Sequence, residues 1–257
     1  FPMNSILITG ASSGYGHEIA RHFHDLGWNV IATMRTPQPG ILPESSRMRV
    51  LPLEVTDAAS IAACVAAAGP IDALVNNAGV GMGGAFEIAP LGEIRRIFET
   101  NTFGVMAMIQ AVLPKMRERG SGVVVNVTSS ATLGAFPFSA PYTASKMAIE
   151  GLSAALVPEL APFGVRVKLV DPGLGLGTRF AQNSAFDFAA QVPPAYAAHA
   201  MAAFGARPAV TTKESDVAEA VWRAVEDSSG QLRFPAGADA LELWERRSWG
   251  RRPGQGR

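Results

Sequence analysis

Hydrophobic positions along the chain fall into two kinds of run. The first kind is short, rich in Val, Ile and Leu, and in several cases apolar throughout: SILIT, WNVIATMR, MRVLPL, DALVNN, GVVVNVTS, VRVKLVD and QLRFP. The second kind is longer and reads as helix, as in GHEIARHFHDLG, DAASIAACVAAAG and PYTASKMAIEGLSAALVPELAPFG. Continuous apolar runs of strand length are typical of strands covered on both faces. The pattern therefore predicts seven strands that alternate with helices.

The boundaries of the helical runs carry helix start and stop signals. Asp57 stands where an N-cap is needed, and Gly27, Gly69, Gly120 and Gly164 stand where helices should end. Short connections between alternating strands and helices imply right-handed crossovers and parallel pairing. We predict an α/β protein with a single doubly wound Rossmann-fold domain and a mostly parallel, seven-stranded sheet.

No linker or repeat divides the chain of 257 residues, so we predict one domain over 1–257. A cofactor-binding half is expected over about 4–125, a catalytic and substrate half over about 126–240, and a tail over 241–257. Residues 1–2 resemble a remnant of an expression vector ahead of Met3.

Composition and charge narrow the class of partner. The chain has 22 basic and 22 acidic residues, so no excess charge indicates nucleic acid. It is 48% hydrophobic and 17% charged, which favours a well-buried core over disorder. No signal peptide or membrane span is expected, and the single cysteine, Cys64, cannot form an intrachain disulfide. These features predict a soluble cytoplasmic protein with no nucleic-acid partner and no membrane span; a weak lipid-surface or phosphate role of the basic tail stays open.

A glycine-rich segment, ILITGASSGYGHEIARHF, reads as a strand, a tight turn and a helix. Gly10 allows the sharp exit from the strand, while Gly14 and Gly16 let the backbone approach a pyrophosphate and let the helix pack on the sheet. The N–H groups at the start of the helix then face the anion. A glycine-rich turn without a ligand is the alternative, and the position after the first strand favours a dinucleotide.

The end of the second strand indicates which dinucleotide. An NAD site needs a carboxylate there for the ribose 2′-hydroxyl, and no acidic residue occurs from Trp28 to Pro43. Arg35 ends the strand instead, and a guanidinium can bind a 2′-phosphate. We therefore expect NADP(H) as the cofactor, unless Arg35 is only a solvated side chain.

Six motifs in order make the chain resemble a classical short-chain dehydrogenase/reductase over nearly its whole length. They are TGASSGYG, NNAG, TNTFG, NVTSS, YTASK and DPG. Ser129 precedes Tyr142 by thirteen residues, which is the spacing of that family. The segments VIATMRTP and LRFPAGAD further resemble the NADP-preferring branch of 17β-hydroxysteroid and retinol dehydrogenases.

The resemblance implies catalytic roles for Asn101, Ser129, Tyr142 and Lys146. Tyr142 and Lys146 lie four apart and share one helix face. Tyr142 would exchange a proton with the substrate oxygen, Ser129 would bond that oxygen, and Asn101 would position a water near Lys146. A nearby ammonium is expected to lower the pKa of a tyrosine, so we expect Lys146 to favour the phenolate.

The resemblance also implies a cofactor site and a substrate pocket. The expected cofactor-binding residues are Gly10, Ser12, Ser13, Gly14, Tyr15, Gly16, Arg35, Glu54, Val55, Asn77, Ala78, Gly79, Tyr142, Lys146, Pro172, Gly173 and Gly175. The expected substrate-pocket residues are Met82, Leu133, Phe136, Phe138, Leu174, Leu176, Phe180 and Phe186. His199 is a further candidate to line a pocket. Two positions depart from the family pattern: Glu54 replaces an Asp, and Gly177 replaces a Thr.

No metal site is expected, because His17, His22 and His24 lack acidic company and a further ligand set. The apolar pocket predicts a hydrophobic ketone or aldehyde and its alcohol as substrates. Two helical runs, Glu93–Arg119 and Tyr142–Phe163, form the dimer face in the family, so a homodimer or homotetramer is expected. A dinucleotide-binding sensor or scaffold without turnover remains the alternative. A sugar-nucleotide epimerase would need a larger C-terminal substrate domain.

Overall fold

A computed structural model describes residues 4–175, 187–205 and 210–246. In these residues seven strands form one sheet in the order β3-β2-β1-β4-β5-β6-β7. The strands are β1 (Ser5–Ile8), β2 (Asn29–Met34), β3 (Met48–Pro52), β4 (Ala73–Asn76), β5 (Gly122–Val127), β6 (Val165–Pro172) and β7 (Arg233–Ala236). Every neighbouring pair is parallel, so the predicted fold is confirmed and the sheet is wholly rather than mostly parallel.

Helices lie on both faces of this sheet. They are α1 (Gly14–Asp25), α2 (Ala58–Ala68), α3 (Leu91–Phe98), α4 (Gly104–Arg119), α5 (Ala140–Leu160), α6 (Phe188–Gln191), α7 (Ala197–Gly205), α8 (Glu214–Glu226) and α9 (Ala238–Arg246). The predicted N-cap of α2 is confirmed, because the Asp57 carboxylate accepts from the N–H groups of Ala59 and Ser60. None of the described helices is long and apolar enough to cross a membrane.

Alternate side chains of the central strands enter two separate cores. Ile6 and Ile8 of β1 pack in the layer under α1 and α8, whereas Leu7 packs in the layer under α2, α4 and α5. Side chains of a strand alternate between faces, and a strand between two helical layers must therefore be apolar at every position. This explains why the strand-like runs lack a polar alternation.

The strand order brings the candidate motifs to one edge. The carboxyl ends of β1, β4, β5 and β6 lead directly into Gly10, Asn77, Ser129 and Gly173 respectively. Ligands of open parallel sheets bind outside these carboxyl ends, where the strand order reverses. The strand order reverses at β1 and β4, so this edge is the candidate site.

Candidate active site

The glycine-rich turn after β1 depends on small residues for its shape. Gly10 has a φ of +72° and Gly14 a φ of +56°, both in the left-handed region that favours glycine. A Cβ on Gly16 would lie 2.3 Å from the carbonyl oxygen of Gly10 and 2.5 Å from Nδ2 of Asn77. The turn therefore accepts no larger residue at position 16 without a shift of the backbone.

The start of α1 is suited to an anion. The Ser13 hydroxyl at the N-cap makes no capping hydrogen bond, and the first turn contains no acidic residue. The first N–H groups of a helix have no partner within the helix and carry a partial positive charge. A pyrophosphate fits this position, with Ser12, Ser13 and Tyr15 in the same turn as further candidate contacts.

Thr9 and Asn77 hold the turn from the neighbouring strand. The Thr9 hydroxyl accepts from the N–H groups of Asn77 and Ala78, each at 3.0 Å. Asn77 Nδ2 lies 3.0 Å from the Thr9 carbonyl oxygen and 3.1 Å from that of Gly10. Sequence reasoning assigned Asn77 to the cofactor and missed Thr9. The side chains of both residues hydrogen-bond the glycine-rich turn to the segment after β4.

The remaining cofactor candidates of this half lie along the same edge. Arg35 directly follows β2 and is exposed, so its guanidinium is free to meet a ligand. Val55 is buried and packs against Gly104. Glu54 stands where the family has the shorter Asp. Its carboxylate accepts from the N–H and the hydroxyl of Thr56 at 3.1 and 3.0 Å, and these bonds hold the side chain against the turn after β3.

The predicted Tyr–Lys pair lies in the first two turns of α5. Lys146 is only 5% exposed, and its Nζ donates to the carbonyl oxygen of Val127 at 3.0 Å. Ser129 follows β5, and its hydroxyl is hydrogen-bonded to the Tyr142 side chain. The fold therefore brings Ser129, Tyr142 and Lys146 together from two different elements.

The ionisation of the pair differs from the expectation. Burial raises the pKa of Tyr142 to about 12, and the hydrogen bond with Ser129 only partly opposes this rise. Burial lowers the pKa of Lys146 to about 8. The prediction of a lowered pKa for Tyr142 is wrong for this structure, because loss of hydration is the largest influence on this phenol and raises its pKa. At neutral pH Tyr142 is a protonated phenol.

Asn101 occupies a π-helical turn that the sequence did not predict. Residues Glu99–Phe103 form this turn between α3 and α4, where one continuous helix was expected. Asn101 is fully buried; its Oδ1 accepts from Val80 N–H and its Nδ2 donates to the Val80 carbonyl, both at 2.9 Å. Single π-turns inside helices are frequent at functional sites. Here the turn directs Asn101 towards the segment after β4, where a Cβ on Gly79 would lie 3.3 Å from Asn101 Oδ1 and 3.4 Å from Lys146 Nζ.

The segment after β6 is held by residues that sequence reasoning missed. The Asp239 carboxylate accepts from Leu174 N–H at 2.7 Å and from the Thr212 hydroxyl at 2.7 Å. Thr212 N–H in turn donates to the Leu174 carbonyl at 3.0 Å. Asp239 and Thr212 therefore fix the chain where it leaves Pro172 and Gly173.

Tyr15 reaches from the glycine-rich turn to this segment. A Cβ on Gly175 would lie 2.0 Å from the Tyr15 phenol oxygen, so the two are in direct contact. Burial, followed by the charge of Glu214, raises the pKa of Tyr15 well above its usual value. The two cofactor-binding segments predicted at Tyr15 and Gly175 thus meet at the same edge.

A cavity of about 340 Å³ lies beside the start of α5. It is lined by Gly84, Ala85, Phe86, Glu87, Pro137, Phe138, Ala140, Tyr196 and His199. Phe138 has a φ of +63°, the one non-glycine residue with a positive φ among those described. Its ring contacts Tyr196, His199 and Phe204 at centroid distances of 6.2, 5.4 and 5.7 Å. Such strained residues persist where the surroundings impose them, often at ligand sites.

The other predicted pocket residues do not line this cavity. Leu133 is 2% exposed and packs in the interior, whereas Phe136 and Leu174 are about 40% exposed. Met82 is half-buried. Leu176, Phe180, Phe186 and the departure at Gly177 lie outside the described residues. His199, a lesser candidate from the sequence, does line the cavity.

The fold is an open parallel sheet whose switch-point edge brings Ser129, Tyr142 and Lys146 together. The family model described as short chain dehydrogenase matches residues 4–187. The chain belongs to the short-chain dehydrogenase family.

Two curated relatives illustrate the likeness. The chain is 41% identical over 182 residues to a 3-ketodihydrosphingosine reductase of Bacteroides thetaiotaomicron, covering 69% of this chain and 66% of the relative. It is 38% identical over 181 residues to retinol dehydrogenase 8 of Bos taurus, covering 66% of this chain and 58% of the relative. The chain thus spans less than two thirds of the length of these curated relatives.

Solved structures match over a larger share of the chain. A short-chain dehydrogenase from Streptomyces avermitilis has a TM-score of 0.82 at 34% identity, covering 95% of this chain and 92% of that one. One from Burkholderia cenocepacia, in complex with NADP, has a TM-score of 0.76 at 25% identity and the same coverage. A 3-ketoacyl-(acyl-carrier-protein) reductase from Brucella melitensis, complexed with NADH, has a TM-score of 0.74 at 27% identity, covering 91% and 95%.

Proposed function

We propose that this protein is an NADP(H)-dependent carbonyl reductase, which interconverts a hydrophobic ketone or aldehyde and its alcohol. One observation carries the proposal. Tyr142 is a half-buried tyrosine, hydrogen-bonded to Ser129, one helical turn from the buried Lys146. A protonated phenol beside a hydroxyl donor suits a carbonyl oxygen that gains negative charge and then a proton.

The proposed roles divide between binding and proton transfer. When bound, the nicotinamide cofactor supplies the hydride. The uncapped start of α1 and the glycine-rich turn would hold its pyrophosphate, and Lys146 would orient its ribose. Ser129 would bond the substrate oxygen, and Tyr142 would deliver the proton to it. Asn101 would hold a water in the path from Lys146 to solvent.

Arg35 supports NADP(H) over NAD(H). It is exposed directly after β2, where the family's cofactor ribose is read, and the chain has no acidic residue from Trp28 to Pro43. Charge-assisted bonds from a guanidinium to a phosphate are strong and can be bidentate. Of the solved structures named above, one is in complex with NADP and another with NADH, so the likeness alone does not select the cofactor. The preference for NADP(H) is therefore argued from Arg35 of this chain.

The cofactor proposal is tested by an exchange of charge. Arg35→Asp should reverse a preference for NADPH over NADH, with a change of at least tenfold in the ratio of kcat/KM values. Arg95→Asp, an equal change of charge at an exposed position on α3, should leave the ratio unchanged. Equal kcat/KM for both cofactors in the parent would refute the role of Arg35.

The cavity supports a hydrophobic substrate. Its walls include Phe86, Pro137 and Phe138, and only Glu87 and His199 among its lining residues can carry charge. Glu87 is already bonded to Tyr196 at 3.1 Å. A bulky ring buried there gains roughly 25 cal/mol per Å² of apolar surface. A small anionic ketone that is turned over with higher kcat/KM than a bulky aromatic ketone would contradict this proposal.

A dinucleotide-binding sensor or scaffold is the second candidate. It would bind NADPH and show no consumption with any ketone, aldehyde or alcohol. Absorbance at the NADPH band during a screen of such substrates separates the two functions. The intact Ser129, Tyr142, Lys146 and Asn101 favour the enzyme.

We also propose a cytoplasmic homo-oligomer that pairs through α4 and α5. Phe103, directly before α4, and Met147 of α5 are exposed apolar side chains, at 55% and 40%. Buried apolar surface is the main source of association energy. Light scattering at micromolar concentration should report a dimer or tetramer, and the mass of one chain would overturn this proposal.

A further inference from the structure

A cluster of charged side chains is buried directly behind Ser129. Glu150 of α5 is 4% exposed and Asp171 of β6 is fully buried. Arg233 of β7 is ion-paired with both carboxylates. Burial of an ion is costly unless it is paired and hydrogen-bonded, and such clusters are weak evidence for stability alone. The place of this one next to the candidate site suggests a role in geometry.

Two threonines connect the cluster to the segment that carries Ser129. Thr128 directly precedes Ser129, and its hydroxyl lies between the two carboxylates, hydrogen-bonded to Asp171 Oδ1 and 3.0 Å from Glu150 Oε1. Thr132 ends the short turn after Ser129, and its hydroxyl lies 3.1 Å from the same oxygen. One carboxylate oxygen therefore meets both sides of Ser129.

Thr132 also contacts Ser129 itself. Its hydroxyl lies 2.8 Å from the Ser129 carbonyl oxygen, and its N–H donates to that oxygen at 3.0 Å. The Ser129 hydroxyl accepts from Ala131 N–H at 3.2 Å. The direction of the Ser129 hydroxyl thus depends on the turn that Thr132 closes.

We propose that Glu150, anchored by Arg233, is a positioning residue that fixes Ser129 through Thr128 and Thr132. This inference rests on the proposed reductase function. It adds residues that position Ser129 to the residues that carry out the reaction. Glu150 does not touch the reacting atoms. It determines where the Ser129 hydroxyl stands relative to Tyr142.

The sharpest test is a pair of variants at Thr132. Thr132→Val removes the hydroxyl at nearly constant volume, and Thr132→Ser keeps it. Thr132→Val should lower kcat about tenfold, because loss of one hydrogen bond displaces the Ser129 hydroxyl, while Thr132→Ser stays within about twofold of the parent. The Kd for NADPH should stay unchanged in both variants, because the pyrophosphate turn is on the other half of the edge.

A matched pair of buried cations separates positioning from stability. Lys168 of β6 is 2% exposed, is ion-paired with Asp227 at 2.6 Å and donates to the Gln231 carbonyl at 2.7 Å. Neither partner belongs to the segment that carries Ser129. Lys168→Met and Arg233→Met both remove a paired cation, so both should lower Tm. Only Arg233→Met should also lower kcat, by about tenfold, because it leaves Glu150 without its anchor.

The pH dependence of alcohol oxidation is a further test, because a change in stability alone would not shift it. Alcohol oxidation needs the Tyr142 phenolate, and the Ser129 hydroxyl stabilises it. Displacement of Ser129 in Thr132→Val should therefore shift the alkaline rise of oxidation to higher pH, and Lys168→Met should not.

The outcomes are distinct. A parent that shows no turnover with any carbonyl substrate overturns the proposed function and this inference with it. An active parent in which Thr132→Val equals Thr132→Ser in kcat and in pH profile overturns the inference alone. An equal loss of kcat in Lys168→Met and Arg233→Met would also overturn it, since the loss would then follow stability.

Discussion

The two halves of the candidate site are built from different kinds of residue. In residues 4–125 the edge of the sheet is shaped by glycines, a threonine and an asparagine amide, as at Gly10, Gly16, Thr9 and Asn77. All five buried charged side chains of the described residues come after position 125: Lys146, Glu150, Lys168, Asp171 and Asp239. The first half is held by close approach of backbone, whereas the second contains buried charged side chains that are ion-paired or hydrogen-bonded.

This difference matches what each half is proposed to do. A pyrophosphate needs backbone N–H groups at close range, and small residues provide that access. Proton transfer needs groups whose pKa is moved from its usual value, and burial of Tyr142 and Lys146 provides that shift.

The largest effect on stability should come from Gly16→Ala. The added Cβ would lie 2.3 Å from the Gly10 carbonyl oxygen, and neither backbone can move without disturbing the turn. We expect a loss of about 3 kcal/mol in the free energy of unfolding, and weaker NADPH binding. Urea unfolding with calorimetric titration of NADPH measures both.

Gly151→Ala is the matched control. Gly151 lies in α5, and a Cβ there meets nothing within 4 Å. Alanine is a better helix former by up to about 1 kcal/mol, so this variant should be slightly more stable than the parent. If Gly16→Ala were as stable as Gly151→Ala, the close approach of the Gly10 and Gly16 backbones would not be what holds the cofactor half of the site together.

Lys146→Met should separate stability from function in the second half. Burial lowers the Lys146 pKa from 10.5 to about 8, so charge at this position destabilises the folded state at neutral pH. Methionine should raise the free energy of unfolding by about 2 kcal/mol, after loss of the bond to Val127, while turnover falls at least a hundredfold. An inactive variant that is also less stable than the parent would contradict the claim that the buried Lys146 charge destabilises the folded state.

The sign of this effect can be checked by pH. The folded state binds the Lys146 proton less tightly than the unfolded state, so parent stability should rise as pH rises from about 8 to 10.5. Lys146→Met should lack this rise. Chemical unfolding at several pH values across that window tests both proteins.

The smallest effect compares the ends of two helices. Asp57 caps α2 with two hydrogen bonds, whereas the Ser13 hydroxyl caps nothing at α1. Asp57→Ala should therefore cost about 1 kcal/mol of stability, and Ser13→Ala close to none. Thermal melts of both variants without NADPH decide the point. Equal losses would show that the start of α1 is an ordinary capped helix end.

Local patterns predicted most of the framework. The strands, the glycine turn and the positions of Tyr142 and Lys146 follow from runs and spacings within a few residues, and the structure contains them. The cap at Asp57 was predictable for the same reason. Such features depend on neighbours in sequence, which one chain displays directly.

Contacts between distant segments were not predictable in this way. Asp239 meets Leu174 from 65 residues away, and Thr9 meets Asn77 from 68 residues away. Their partners are set by strand order and register, which no local pattern contains. The pKa of Tyr142 was misjudged for a related reason, because burial depends on the whole fold while the nearby Lys146 is visible in the sequence.

Tyr142→Phe tests most directly whether cofactor binding and proton transfer are carried by different residues of this site. The substitution removes only the phenol oxygen, and the glycine turn, Arg35 and Lys146 remain. NADPH should bind with the Kd of the parent, while kcat for ketone reduction falls by about a thousandfold. Retention of parental kcat by Tyr142→Phe would contradict the account, whatever its affinity for NADPH.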